Sequence, residues 1–396
     1  MHIVIVNAHW NNRGDEAAHR ALWGELRSRY PQSRITILFK DKKPITWFPS
    51  ISDVTYDSCQ FKSPSWDIWL TVLTRGFMGR DPVLKKMVRI VKTADLIIYP
   101  PGGSVINDRF YWSKQLEYLT PFLCARLYRI PMVVAAPSMG PYDAHPKRRL
   151  RQWLLRTPRV FCVREELSRQ YLNSIGVSDN VHVTMDLALL DEVDTNAAER
   201  QLGDYPELRA FLETHSRVVG ITISDFRWHV KLGKDTELTD RIETTFRQMI
   251  QALADRGYGI LLIPQLFGNQ NDYTDLMQYA GPSVHVMSDQ PDTYLQQYVI
   301  SKLYAVIGMR YHSNIFAAKM GTPFVAVVYE EKMAGFLELA GLSEYGLPLE
   351  HISFERVDLA FRALERHHTD LRQRLLSTLH ECRRRARQTI DLLPPV

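Results

Sequence analysis

The chain has 396 residues, 45% hydrophobic and 23% charged, which excludes a disordered protein and leaves room for two domains with separate cores. Forty-nine Lys and Arg against 44 Asp and Glu give a formal charge of +5. Much of that excess sits in one C-terminal run, HECRRRARQ, so a continuous basic face for nucleic acid is not expected. The balance suits anionic small molecules and is compatible with peripheral contact at an acidic membrane surface.

HIVIVNA (His2–Ala8) opens the chain as a β-branched strand. A polar turn and the helical pattern DEAAHRALWGELRSRYP follow, and RITILFK (34–40) is the next strand. ADLIIYPPGGS (94–104) is a strand running into a Gly-rich turn. PMVVAAPSMGPY (131–142), RVFCVREELS (159–168) and NVHVTMDLAL (180–189) repeat the strand-then-turn design. Residues 191–216 are polar and lack a buried strand, as an inter-domain connection with short helical pieces would. A second alternation then runs through RVVGITIS (217–224), GYGILLIPQ (257–265), SVHVMSD (283–289), KLYAVIGMR (302–310) and TPFVAVVYE (322–330).

This pattern predicts an α/β protein of two doubly wound, Rossmann-like domains facing across a cleft. The expected boundaries are 1–190 for the first domain, 191–216 for the connection, 217–355 for the second domain and 356–396 for a charged helical segment. Ligands of such sheets bind outside the carboxyl ends of the strands, where these turns lie. Four cysteines, Cys59, Cys124, Cys162 and Cys382, lie far apart without a CxxC spacing. Reduced thiols are therefore expected, with neither a disulfide framework nor a zinc site. The N-terminal apolar run is too short for a signal peptide, and no window approaches ~18 uninterrupted apolar residues. A cytoplasmic protein is expected.

Chemistry concentrates at the strand ends. Gly14, after Asn12 in NNRGDEAAH, lets the backbone approach a ligand at a helix N-terminus; Asp15 and the following Glu16 are equally explained as first-turn acids. Gly102, Gly103 and Ser104 in PPGGS, and Ser138 in APSMGP, are turn residues at the same edge. Arg164 ends a strand, either in an ion pair with Glu165, Glu166 or Asp186 or as a fork for carboxylate or phosphate. In SKLYAVIGMRYHSNIFAAKMGTPFVAVVYEEK, Arg310 and Lys332 close two strands and His312 begins the helix between them. Cations and a titratable histidine at adjacent strand ends suit a small, highly anionic molecule, with His312 as the candidate acid.

Together N-x-GDEA, the Gly-rich turn, SMGP, VREELS, MDLAL and GMRYH…IFAAKMGTPFVAVVYEEK resemble the polysaccharide pyruvyl transferase family over most of the chain. The resemblance implies a GT-B-like fold and transfer of pyruvate from phosphoenolpyruvate to two sugar hydroxyls, leaving a cyclic ketal. It links Arg310, His312, Arg164 and Lys332 to the donor, and Tyr311 stands where leucine is frequent. Pro101 replaces a common glycine, and Leu187 a usual proline. His312 is then the proton donor and Asp15 the base or orienter for the acceptor. Neither a metal nor a cofactor is expected.

One segment stands outside this scheme. ITWFPSIS and SWDIWLTVLTRGFMGRD hold three of the eight tryptophans with Phe48 and Phe77, a composition read first as core. The same residues suit sugar stacking or a bilayer surface if the acceptor is lipid-linked. Two further readings compete with pyruvyl transfer. A nucleotide-sugar glycosyltransferase or epimerase would use Glu330 or Glu331 on ribose; a non-catalytic sugar- or anion-binding protein would have no reason to keep all four cationic or titratable groups.

Overall fold

The computed structural model describes residues 1–40, 54–103, 106–142, 148–224, 226, 235–267 and 271–395. In the first sheet the strands are β1 (His2–Ala8), β2 (Arg34–Phe39), β3 (Val54–Ser58), β4 (Leu96–Tyr99), β5 (Met132–Val134), β6 (Val160–Val163) and β7 (Val181–Val183), in the order β3-β2-β1-β4-β5-β6-β7. The second sheet holds β8 (Val218–Thr222), β9 (Gly259–Leu262), β10 (Val284–Val286), β11 (Ala305–Gly308), β12 (Phe324–Val328) and β13 (Gly346–Pro348), in the order β10-β9-β8-β11-β12-β13. Every pairing is parallel. The chain is thus α/β with two doubly wound parallel sheets.

Parallel sheets are covered on both faces, so their strands read as unbroken apolar runs. Ile3 to Val6 on β1 and Ala305 to Ile307 on β11 are buried without alternation. In each sheet the strand order reverses beside the strand that opens it, β1 or β8. The crevice at such a switch point is where ligands of doubly wound sheets collect. In the first sheet the reversal lies between the loops after β1 and β4, and in the second sheet between those after β8 and β11.

Two compact units result: 1–10, 18–190 and 384–396 form the first, and 11–17 with 191–383 the second. The turn after β1 therefore counts with the second unit, although the sequence reading kept 1–190 together. Residues 191–216 also belong to that unit, carrying helices Thr195–Leu202 and Pro206–Thr214. The last helix, His368–Asp391, contributes to both units, and its end packs in the first. Among the described residues no helix is long and apolar enough to cross a membrane. All four cysteines are buried, and no disulfide joins them.

Candidate active site

In the second unit the site is built on the helix Tyr311–Met320, which follows β11. Gly308 makes that turn: a Cβ there would lie 1.9 Å from the Asn314 side-chain oxygen. Thr222, at the end of β8, pins the same turn by accepting from the Met309 and Arg310 N–H groups at 3.0 and 3.1 Å. Ser313 spends its proton on the Arg310 carbonyl (2.6 Å), so Thr222 donates to Ser313 across their 2.9 Å contact. Helix start and strand end are one hydrogen-bonded unit, which fixes the directions of Arg310 and His312.

Arg310 is buried and ion-paired with Asp272, its Nε 3.1 Å from Oδ2 and its Nη2 on Oδ1. Asp272 also accepts from the backbone N–H of Gln265 and Leu266, each at 3.0 Å. One carboxylate therefore ties the arginine to the loop after β9. Tyr329 sits beside this pair, and burial, reinforced by Glu330, pushes its hydroxyl pKa up. Tyr311 lies edge-on to His312 with ring centroids 4.9 Å apart. The Lys332 ammonium is 5.6 Å from the Tyr311 ring centre and 2.5 Å from the Glu330 carboxylate.

The turn carrying Asn12, Gly14 and Asp15 belongs to this unit. Asn12 accepts from the Gly14 N–H at 2.8 Å and the Asp15 N–H at 3.4 Å, the capping role open to any Asn at a helix start. Arg13 is buried: it pairs with Glu16 at 3.0 Å, donates to the Asp289 carbonyl at 2.8 Å and lies 4.2 Å over the Phe267 ring. These bonds press the Gly14 backbone onto His312 so closely that a Cβ at position 14 would stand 1.7 Å from His312 Cγ. Half-buried Asp15 stands next in the chain. The structure thus brings Gly14 onto His312, with Asn12 and Asp15 in the same turn, and places Arg310, Tyr311 and Lys332 around the same helix start.

The remaining sequence candidates form a second constellation, in the first unit. Arg164 is buried and bonded to Asp186 at 2.6 Å, to Ser138 Oγ at 2.8 Å and, more loosely, to Glu165 at 3.5 Å. The ion pair open to Arg164 is formed, with Asp186 as its main partner. Ser138 in turn donates to Glu165 at 3.1 Å, and its N–H to the Gly102 carbonyl at 3.1 Å. Gly102 holds φ +127°, where a side chain is strained, while a Cβ on Gly103 would meet nothing within 4 Å. Ser104 lies outside the described residues.

For Arg310 and Lys332 the sequence reading named no acid, and for Arg164 it left Glu165, Glu166 and Asp186 open. Asp272, Asp186 and Glu330 each neutralise one, so the set is a group of oriented ion pairs rather than bare positive charge. Sequence reasoning also passed over Arg13, Thr222 and a cluster beyond β1 and β2. There His9 Nε2 and Tyr118 Oη are 2.8 Å apart, and the buried Lys40 ammonium lies 4.8 Å from the Tyr118 and Phe61 ring centres. Burial lowers the Lys40 pKa. Asn7, at φ +56° where the β1–β2 register shifts, marks this end of β1 in the backbone, and no sequence motif announces it.

Residues 12–331 match the family described as polysaccharide pyruvyl transferase, a span that takes in Gly14, Arg164 and His312 and stops one residue before Lys332. The chain belongs to the polysaccharide pyruvyl transferase family. Membership makes it an enzyme with a general role in pyruvyl transfer. The amylovoran biosynthesis protein AmsJ of Erwinia amylovora is 24% identical over 373 residues, 87% of either chain. Solved structures share the fold at low identity. S. aureus MnaA with UDP gives a TM-score of 0.61 at 11% identity, covering 94% of this chain and 90% of that one. Anabaena Alr3699/HepE with UDP gives 0.59 at 15%, covering 99% and 98%. The UDP-GlcNAc 2-epimerase of Neisseria meningitidis gives 0.58 at 14%, covering 95% and 94%. The family member thus has a fold of the GT-B kind.

Proposed function

We propose that the chain transfers the pyruvyl group of phosphoenolpyruvate to two hydroxyls of one sugar in a polysaccharide or lipid-linked oligosaccharide precursor. The products are a cyclic ketal and inorganic phosphate. The family match across 12–331 carries this reading, and within that span the packing of His312 on Gly14 supports a defined proton donor.

His312 delivers a proton to the methylene carbon of the donor, and C2 gains cationic character. The first sugar hydroxyl adds to C2, its proton taken up by a base for which Asp15 is the candidate. The bond from C2 to the phosphate oxygen then breaks and the second hydroxyl closes the ring. One hydroxyl proton restores His312, and the other leaves on the phosphate. Arg310, Tyr311 and Lys332 bind the donor anion in this scheme. The helix start at Arg310, whose first turn has no side-chain cap, favours negative charge as well. Asn12 and Gly14 shape the turn, and Arg164, Ser138, Gly102, Gly103 and Ser104 are further substrate-binding candidates in this reading. Donor and acceptor are substrates; no cofactor enters.

Incubation with phosphoenolpyruvate and a panel of glycosides, read by mass spectrometry and phosphate release, tests the reaction. A gain of pyruvate minus water is expected, absent in His312→Gln. Glycosyl transfer, or thermal stabilisation by a nucleotide sugar and not by phosphoenolpyruvate, would overturn it.

A further inference from the structure

Helix Ser65–Leu73 buries Asp67, Ile68, Thr71 and Val72 against the first unit. Its other side, with the turn that follows, exposes Trp66, Leu73, Phe77 and Met78, Phe77 at 82% and Leu73 at 64%. The sequence composition had read as core; instead, only Trp69 of the described aromatics in this stretch packs on the core, while Trp47 and Phe48 lie outside the described residues. A single exposed leucine needs no explanation, but four large apolar side chains in one short stretch form a patch.

The turn is tightly built. The N–H groups of Gly76 and Phe77 donate to the carbonyls of Thr71 (2.8 Å) and Thr74 (3.0 Å), and that of Met78 to Thr74 Oγ1 (3.0 Å). Arg89 Nε donates to the Gly76 carbonyl at 3.0 Å, and the Arg80 N–H to the buried Asp67 carboxylate at 2.8 Å. Gly79, at φ +121°, lies so close to Thr71 that a Cβ would fall 2.0 Å from its hydroxyl. Phe77 and Met78 are therefore held out in water by a fixed backbone.

The surroundings are basic. From Lys62 to Lys92 seven Lys and Arg face two acids. Asp67 is buried, and Asp81 is engaged in capping the helix Pro82–Val91. The Arg80 guanidinium lies 4.8 Å over the Trp66 ring, Arg75 precedes the turn and Arg89 holds it. Apolar side chains ringed by cations fit the headgroup–acyl boundary of an anionic bilayer: the rings enter, and the cations stay at phosphate depth. Aromatic residues, Met and Arg also suit a protein interface, but Lys62, Lys85, Lys86 and Lys92 favour an anionic surface, because lysine is depleted from protein interfaces. We propose that this turn docks the first unit on an anionic lipid surface through Trp66, Leu73, Phe77 and Met78, independently of the reaction assigned above.

The test is co-sedimentation of the full chain with vesicles of phosphatidylglycerol and phosphatidylcholine, against phosphatidylcholine alone. Binding to the anionic vesicles is expected, weakened by salt and by roughly tenfold in Phe77→Ser/Met78→Ser. Phe77→Trp retains binding, and so does Leu359→Ser, which removes an exposed leucine elsewhere. No sedimentation of the wild type, or equal sedimentation of the double variant, overturns the proposal. So does vesicle-free ultracentrifugation in which the wild type self-associates and the double variant does not.

Discussion

A methyl group at position 14 is the smallest change that tests the contact behind the proposed chemistry. It would overlap His312 at Cγ (1.7 Å) and at Cβ (2.3 Å), so turning the ring cannot relieve it while Arg13, Glu16 and the Gln265 carbonyl anchor the backbone on both sides. Gly14→Ala should therefore destabilise by about 1–3 kcal/mol through overpacking, and kcat/KM should fall by roughly 10²-fold, the usual effect of a displaced catalytic group. Full activity with a shifted melting temperature would mean that the contact serves packing only. Arg164 poses the opposite problem, because its buried partner makes a structural role certain and leaves a donor role to be separated from it. Arg164→Met should destabilise by about 3 kcal/mol, since Asp186 loses its counter-charge where water cannot replace it. Adding Asp186→Asn removes the stranded charge and keeps the oxygen that accepts from the Ala188 N–H, so stability should partly return. Denaturant unfolding and turnover measured on both variants decide the matter: activity that stays lost assigns Arg164 to the donor, and activity that returns with stability does not. The basic side chains were legible in the sequence because they end apolar runs. Of their acids, Asp272 was not, because it pairs with Arg310 across 38 positions, and Asp186 stood only as one of three acids open to Arg164.

At the scale of elements, the helix Tyr311–Met320 is buried nearly all round, which explains why its sequence shows no polar face. Its far end buries Lys319, bonded to Gln297 at 2.6 Å and 4.0 Å from Asp191, while Gln297 also donates to Asp191 at 3.0 Å. Burial lowers the Lys319 pKa to about 8 from an ordinary 10.5. Below pH 8 the lysine is charged folded and unfolded, and its desolvation opposes folding in full. Between 8 and 10.5 the unfolded chain holds a proton that the folded one has released, so this contribution to stability rises with pH. Urea unfolding should show the wild type gaining about 2 kcal/mol on Lys319→Met between pH 7.5 and 9.5, and a difference independent of pH would refute the buried charge. Central strands were legible for the reason this helix was opaque, since burial on both faces writes a continuous apolar run. The edge strands were not. VTYDS of β3 is only partly buried, and GLP of β13 is three residues with a proline, which an edge tolerates and a sequence reading discounts.

On the scale of the whole molecule, the chain's last residues belong to its first unit, and no periodicity announces that. The sequence reading saw a charged helix from 356 onward. The structure divides it after Arg383, and 384–396 return apolar side chains to the first unit. Ala386, Ile390 and Leu393 are buried, Thr389 bonds Thr184 at 2.7 Å, Arg387 pairs with Glu25 at 2.6 Å and Arg29 donates to the Leu393 carbonyl at 2.9 Å. The basic run HECRRRARQ is thus in part a clasp, with its charges outside and its small and apolar residues within. Truncation after Arg383 should cost the first unit on the order of 5 kcal/mol, the transfer value of the apolar side chains it uncovers. Cys162 supplies a local reporter: it sits against Thr389, and burial pushes its thiol up to about 12, so at neutral pH it should resist a thiol reagent in the intact chain. In the truncated chain Cys162 should label within minutes, located by peptide mapping to keep it apart from Cys382 beside the cut. Labelling confined to Cys382, with an unchanged melting temperature, would show that the last thirteen residues lie on the first unit without stabilising it.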